Sequence, residues 1–495
     1  MTTFYIEQFG CRATQADGAA LERQLLERGC TAASEVSAAD VVVVNTCTVT
    51  AAADSQARDA IRKIHARNPA ARVLVTGCYA QRAPEELAAL PGVSWVVGNS
   101  HKPQIPDLVH ELSKSEARTG ANDFVSTEML LNGMEDTGTV LRPGKLGHSS
   151  AVPLQSISVG ANVAPRSGLA KILTGDIFAQ NSFLAAPILG GEGHHTRPTL
   201  KIQDGCNSRC SYCVIPFVRG KSRSLPAREV IEEIRRLSES GYLEIVLSGI
   251  NLGTYGRDLS PRVEFDDLLR RILDETKIAR LRISSIEPLD VTQDLIALFA
   301  STPRLAQHFH MPLQSGSDRI LAAMHRWYRA EHYARRVELI RELLRNAAVG
   351  ADVIAGFPGE TEEDHAATVA FIERLPFTYL HVFSFSKRPG TRAATLANQV
   401  PAVVVHRRAR ELRAISEEKS ATFLRSQTDQ TLEVLTLRHT SRAPDARWTP
   451  GISSNYLQVR LPGEWLPNQM MPARMISAGS GYLNAHPETS GVFAA

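Results

Sequence analysis

The chain reads as a multidomain α/β protein, with a doubly wound parallel α/β sheet first, a partial (β/α)6 barrel in the middle and a small OB-like β-barrel at the end. Three observations predict this. At 495 residues the chain is too long for one ordinary core, because domains run to roughly 150 residues. Short apolar, β-favouring runs alternate with helical stripes in two separate stretches, and a long segment between them lacks that rhythm. From Thr431 the helical stripes stop and only β-type runs remain. The expected divisions are 1–112, 113–197, 198–425 and 426–488.

In the first division, strand-like runs at 3–9, 41–44 and 73–75 alternate with helical patterns at 19–28 and 55–66. Each of these strands runs directly into a cysteine, as Phe9-Gly10-Cys11, Asn45-Thr46-Cys47 and Thr76-Gly77-Cys78. Carboxyl ends of strands in an open α/β sheet share one edge, where ligands bind. Cys11, Cys47 and Cys78 are therefore expected to converge as a three-thiolate metal site, the alternative being small buried residues that happen to follow strands. Cys30 follows the helix-ending Glu27-Arg28-Gly29 instead of a strand and reads as a packing cysteine.

Residues 113–197 are rich in Gly, Ser and Ala and carry no cysteine, so a linker or insertion is expected. Within it, the apolar content of 172–189 could fold locally or dock on a neighbour. His194-His195 reads as two polar residues of a solvated linker, since no other ligand types surround the pair.

The third division repeats strand-like runs at 199–203, 244–248, 280–285, 308–313, 351–355 and 381–385, with helical stripes such as Val230, Ile231, Ile234 and Leu237 between them. In parallel barrels the chemistry sits at the strand C-termini. At the first of these ends stands Cys206-Asn207-Ser208-Arg209-Cys210-Ser211-Tyr212-Cys213. Structural zinc closes its tetrahedron with four protein ligands, and no second Cys or His pair follows at that spacing. Three thiolates on a four-iron cluster would leave one iron open for another ligand. Three thiols that merely pack are the ordinary alternative.

Later strand ends carry Ser248-Gly249-Ile250-Asn251, Ser284-Ser285-Ile286-Glu287-Pro288, Pro312-Leu313-Gln314-Ser315-Gly316-Ser317 and Gly356-Phe357-Pro358-Gly359-Glu360. Singly each is a turn that ends a strand, and Thr361 with Asp364 reads as a helix N-cap. Around one barrel mouth they could together bind a cofactor. Arg219, Lys221 and Arg223 follow the cysteine loop and are expected either to neutralise RNA phosphates or to form a solvated charge run. The arginine-rich helical pattern at 406–416 bridges to the last division. That β-barrel shape is often used for RNA, although its arginines are balanced by acids.

Fifty-five Lys and Arg against 52 Asp and Glu give a net charge of +3, which permits an RNA partner without arguing for one. No basic leader opens the chain and no apolar run approaches a membrane span, so a cytoplasmic address with no membrane partner is expected. Seven cysteines, an odd number, make no disulfide framework, and reduced thiols are free to hold metal.

The C-x3-C-x-aromatic-C loop resembles that of the radical S-adenosylmethionine (SAM) enzymes. Taken with the cysteine-bearing first division and the terminal β-barrel, of the type called TRAM, the chain is similar to the radical SAM methylthiotransferases over nearly everything except 113–197. Ile202-Gln203-Asp204-Gly205-Cys206-Asn207, Ser248-Gly249-Ile250-Asn251-Leu252-Gly253, Ser284-Ser285-Ile286-Glu287-Pro288 and Gly98-Asn99-Ser100-His101-Lys102 most resemble the branch that acts on threonylcarbamoyladenosine beside the tRNA anticodon. Phe9-Gly10-Cys11-Arg12-Ala13-Thr14-Gln15 departs from it, because many relatives have Lys-Val-Asn after the cysteine.

The resemblance implies two 4Fe-4S clusters and SAM. Cys206, Cys210 and Cys213 would hold the catalytic cluster, which reduces SAM to release a 5'-deoxyadenosyl radical that attacks carbon 2 of adenine. Cys11, Cys47 and Cys78 would hold a second cluster whose open iron carries sulfur, methylated by another SAM and then delivered. SAM contacts are expected from Tyr212, Ser248, Gly249, Asn251, Ser285, Glu287, Gln314, Ser315, Gly356 and Gly359. The implied partners are a tRNA anticodon stem-loop, a one-electron reductase and a sulfur donor, with the enzyme a monomer. Rival readings are isopentenyladenosine in tRNA, a ribosomal-protein aspartate, and a non-catalytic RNA-binding metalloprotein.

Overall fold

The computed structural model describes residues 2–115, 170–184, 186–187, 196–439 and 447–488. A six-stranded parallel sheet comes first, built from β1 (Thr3–Gln8), β2 (Thr31–Ala32), β3 (Val41–Thr46), β4 (Arg72–Gly77), β5 (Val93–Gly98) and β6 (Lys171–Leu173), in the order β2-β1-β3-β4-β5-β6. β3 is buried at every position, as a central strand covered on both faces must be. Its valines alternate between two cores. Val41 and Val43 pack with Leu21 and Leu25 of helix Arg12–Glu27, whereas Val42 and Val44 pack with Ala57, Ile61 and Ile64 of helix Ala51–Arg67. Cys30 is buried in the first of these cores.

β6 comes from the segment expected to be a linker. It pairs with β5 from Trp95↔Lys171 to Val97↔Leu173, and Lys171 Nζ lies 4.7 Å from the centre of the Trp95 ring. Three residues cannot hold a strand alone; the open edge of β5 supplies the hydrogen bonds. His194-His195 and residues 116–169 lie outside the described residues.

The central region contains β7 (Thr199–Lys201), β8 (Gln203–Asp204), β9 (Arg223–Ser224), β10 (Glu244–Ser248), β11 (Arg280–Ile283), β12 (His308–His310), β13 (Ala348–Ala355) and β14 (Tyr379–Ser384). β8 and β9 form a short antiparallel ribbon on either side of the cysteine loop. The other strands run parallel, in the orders β11-β10-β7 and β12-β13-β14, and the bridges Leu281↔Leu305 and Ser285↔His310 join the two groups into an open partial barrel. Buried stripes such as Val230, Ile231, Ile234 and Leu237 of helix Ala227–Glu239 cover its outside. Thr361 caps helix Glu362–Arg374 through a reciprocal box with Asp364.

Helix Ala402–Ser426 packs along β14, where Ser416 Oγ accepts from the Leu380 amide at 2.8 Å, and leads into the last domain. There β15 (Thr431–Thr436), β16 (Trp448–Ser453), β17 (Gln458–Pro462), β18 (Met470–Ala478) and β19 (Leu483–Pro487) close into a barrel in the order β15-β16-β17-β19-β18. Its attachment to the central barrel is polar and buried. Glu244 pairs with Arg280 and Arg282, whose remaining N–H groups donate to the backbone carbonyls of Ile452, Ser453 and Ser454. Three cations, Arg197 included, hold the Glu244 carboxyl far below the carboxylate range against the opposing effect of burial.

Candidate active site

The order β1-β3-β4 brings the first three cysteines to neighbouring positions on one sheet edge. Cys11 precedes helix Arg12–Glu27, Cys47 follows β3, and Cys78 opens helix Cys78–Arg82. Gly10 is required at this approach. Its φ is +96°, and a Cβ there would lie 2.3 Å from Cys47 Cβ and 2.8 Å from Cys47 Sγ. Cys11 is exposed while Cys47 and Cys78 are buried. Burial, reinforced by Cys78 and Cys11, pushes the Cys47 thiol up to about 12. Asn99 Nδ2 donates to Cys78 Sγ at 3.6 Å and to the Val218 carbonyl at 2.8 Å, which ties this edge to the barrel.

Cys206, Cys210 and Cys213 form the second trio within the loop between β8 and β9. Arg326 Nη1 donates to Cys210 Sγ at 3.5 Å, and the Ser208 amide donates to Cys206 Sγ at 3.4 Å. Burial and the charge of Cys210 push the Cys213 thiol up to about 12. Each trio offers three cysteines free of disulfides, and three thiolates with no fourth protein ligand fit a polynuclear iron-sulfur group that keeps one iron open.

The expected phosphate contacts need correction. Arg219 is 1% exposed, and its guanidinium meets Asp204 Oδ1 at 2.9 Å and Asp17 Oδ2 at 3.0 Å. Arg223 is also buried and donates to the carbonyls of Arg219 and Ser182. Neither guanidinium faces a phosphate backbone; Lys221 is exposed. The Arg219 cluster had no counterpart in the sequence reading. Lys201 joins both Asp17 and Asp204, and Lys102 Nζ meets Asp17 Oδ2 at 2.9 Å. Three cations against two carboxylates leave an excess of positive charge; burial still pushes the Cys78 thiol up, and Arg219 and Lys102 offset only part of that rise. The signal in the sequence is an acid, Asp17, on a helix face otherwise buried as Ala13, Ala16, Ala20 and Leu21.

The residues expected around SAM divide by their partners. Glu287 is paired with Arg326, so it reaches the cysteine loop through that side chain. Ser315 is wholly buried and bonded to Thr368 and the Ser317 amide. Gly356 donates its amide to Glu360, itself paired with Arg408, and Gly359 donates to the Asn398 carbonyl. Ser248 accepts the Ile202 amide through its carbonyl, and Gly249 packs on Gln203, where a Cβ would lie 2.9 Å from Oε1. Ser285 Oγ is 2.6 Å from His310 Nδ1. Asn251 Oδ1 and the neighbouring strand-end Ser284 Oγ are buried without a hydrogen-bond partner, as acceptors awaiting a polar ligand would be.

A cavity of about 210 Å³ is lined by residues close in sequence to a cysteine of each trio. Val49 and Thr50, just after Cys47, form one wall, and Tyr212, between Cys210 and Cys213, forms another. Gln314, Asp352 and Phe385 contribute further lining. Gln314 has φ +66°, and its amide and carbonyl bond Asp352 and Ile354 respectively. Tyr212 packs against Ile320, Met324 and Phe357, which fixes its ring at the junction.

Comparison with known proteins agrees with this layout. Residues 3–98 match the model of the Uncharacterized protein family UPF0004, and residues 200–372 match that of the Radical SAM superfamily. A threonylcarbamoyladenosine tRNA methylthiotransferase MtaB from Aquifex aeolicus is 32% identical over 92% of this chain and 96% of its own length. The Bacillus subtilis MtaB is 31% identical over 97% and 95%. A tRNA-2-methylthio-N(6)-dimethylallyladenosine synthase from Syntrophobacter fumaroxidans is 32% identical over 96% and 93%. In fold, the chain is similar to the radical SAM methyltransferase TsrM from Kitasatospora setae, with a TM-score of 0.52 at 16% identity over 80% of this chain and 77% of that one. The cofactors of such a protein are SAM and 4Fe-4S clusters. Among the described residues no helix is long and apolar enough to cross a membrane. Near-complete overlap with enzymes that modify tRNA adenosines, on top of a radical SAM barrel and a cysteine-edged sheet, makes this chain a member of the radical SAM tRNA methylthiotransferase family.

Proposed function

We propose that the enzyme methylthiolates carbon 2 of threonylcarbamoyladenosine next to the tRNA anticodon. Cys206, Cys210 and Cys213 hold the cluster that engages SAM, and Cys11, Cys47 and Cys78 hold the one that carries sulfur. The observation that carries this reading is one cavity walled both by Val49 and Thr50, shortly after Cys47, and by Tyr212, next to Cys213. When bound, the clusters and SAM supply one-electron chemistry and a transferable sulfur that no side chain provides.

The chain's own part is to place the nucleoside and exclude water. Val49, Ile354 and Phe385 offer the base an apolar wall, while Gln314, Asp352 and Ser384 offer polar groups. A prenyl substituent would bring no partner to the Gln314 amide or the Ser384 hydroxyl, whereas the threonylcarbamoyl group brings its own donors and acceptors. This polarity favours threonylcarbamoyladenosine over isopentenyladenosine. Asn251 and Ser284 offer SAM unpartnered oxygens, and Arg326 steadies Cys210 and Glu287. Trp327, 79% exposed in a groove shared with Asn207 and Ser208, and the exposed Arg209 and Lys221 suit the stacking and phosphate contacts of an RNA loop.

Mass spectrometry of tRNA nucleosides from a strain lacking the gene tests the substrate. The methylthio form of threonylcarbamoyladenosine should vanish and return on complementation. Loss of the methylthio form of isopentenyladenosine instead would replace the proposed substrate.

A further inference from the structure

Three side chains outside both cysteine trios converge on the inner strands of the partial barrel. His310 ends β12, Asp352 lies in β13 and His381 lies in β14. Asp352 and His381 are direct register partners, and His310 is opposite Gly350, two residues before Asp352, so the parallel pairing sets all three on one face. His310 Nε2, His381 Nδ1 and a carboxylate oxygen of Asp352 all lie within 4.8 Å of one another.

We propose that His310, Asp352 and His381 bind a single zinc ion, distinct from the two iron-sulfur sites. His310 Nε2 is 3.2 Å from Asp352 Oδ1, and His381 Nδ1 is 3.4 Å from the same oxygen. Bonds of 2.0–2.2 Å in a tetrahedron give ligand–ligand edges of ~3.4 Å. His310 Nε2 is buried, and the group it faces is the Asp352 carboxylate, so an ion seated between them would take the place of that direct contact. His310 as a whole is only 7% exposed.

The surroundings hold the His310 ring in a ligand's pose. Ser285 Oγ lies 2.6 Å from Nδ1. With the proton on Nδ1 donated to that hydroxyl, Nε2 is left free to coordinate, the orientation that outer hydrogen bonds impose on metal-binding histidines. Tyr379 stacks parallel to His310, with ring centres 5.9 Å apart and planes 3° from parallel. Gly350 makes room for it, because a Cβ there would lie 2.1 Å from Tyr379 Cζ. The His381 side chain is 56% exposed, which leaves a path for an ion to enter. Two imidazoles and one carboxylate form the ligand set that borderline divalent ions prefer. Asp352 also lines the cavity that Tyr212 and Thr50 wall, so the ion would sit at its edge.

The test uses full-length protein reconstituted anaerobically with iron and sulfide, dialysed, and titrated with zinc against a chromophoric chelator. Wild type should retain one zinc per chain beyond its iron, and its zinc X-ray absorption should show only nitrogen and oxygen neighbours. His381→Ala and Asp352→Asn should each weaken zinc binding at least about tenfold with iron and sulfide unchanged. No zinc retained by wild type, equal affinity in both variants, sulfur neighbours in the spectrum, or iron lost together with zinc would each overturn the assignment. His381 is exposed, so its replacement leaves the fold intact and the comparison interpretable. The titration uses no RNA, so it succeeds or fails independently of the tRNA substrate.

Discussion

Arg219 Nη2 lies 3.0 Å from Asp17 Oδ2, and this buried pair joins the first helix of the N-terminal sheet to the cysteine loop's own segment of the barrel. Removing one partner of such a pair strands the other charge in the interior. Asp17→Asn should leave Arg219 and Lys201 facing Asp204 alone and Lys102 with only the Asn45 amide oxygen, and should cost about 3–5 kcal/mol. Urea denaturation should show the loss, and limited proteolysis should cut between the sheet domain and the barrel. A variant as stable as wild type would mean that the network does not dock the two domains.

The same network has a pH signature. Its cations hold the Asp204 carboxyl down at about 2 despite burial, below the ordinary ~3.9. A carboxyl depressed on folding contributes stability that is fully present above its unfolded pKa and is lost as pH falls through its folded one. The stability gap between wild type and Asp204→Asn should therefore be constant at neutral pH and narrow between about pH 4 and pH 2. A gap that widens in acid would contradict the ion-pair account.

Arg326 touches both Glu287 and Cys210 Sγ, so its replacement should act on the barrel trio alone. In Arg326→Gln the rate of SAM cleavage should fall by about 10- to 100-fold, and Arg326→Lys should restore part of it. The iron bound at Cys11, Cys47 and Cys78 should be unaffected. Unchanged cleavage in Arg326→Gln would reduce this arginine to a packing role.

Gly350 faces the Tyr379 ring across β13 and β14. Gly350→Ala must push that ring away, at a cost of about 1–3 kcal/mol for overpacking. Thermal unfolding checks this, and a neutral result would show that the ring can move aside freely.

The placement of six cysteines was legible because each of these marks a strand end or a tight loop, and strand ends of a parallel sheet share an edge whatever else the fold does. Partnership was not legible. Arg219 and Arg223 read as exposed cations because the acids that bury Arg219, Asp17 and Asp204, come from a different domain and a different strand. β6 was legible only as the start of apolar content that could dock on a neighbour, because three residues carry no period of their own and exist as a strand only beside β5. His310, Asp352 and His381 are ordinary polar positions until three neighbouring strands are aligned in register. Gly356 and Gly359, expected as cofactor contacts, also bond Glu360 and Asn398, partners that the sequence does not reveal.

The central claim is that two separate three-cysteine sites each hold a 4Fe-4S cluster with different tasks. Iron counting on anaerobically reconstituted protein, with SAM cleavage followed in the same samples, tests it most directly. Wild type should bind about eight irons, and each triple Cys→Ala variant about four. The variant lacking Cys206, Cys210 and Cys213 should produce no 5'-deoxyadenosine, while the one lacking Cys11, Cys47 and Cys78 should still produce it and form no methylthiolated tRNA. A full iron complement in either variant, or methylthiolation without the N-terminal trio, would contradict the account.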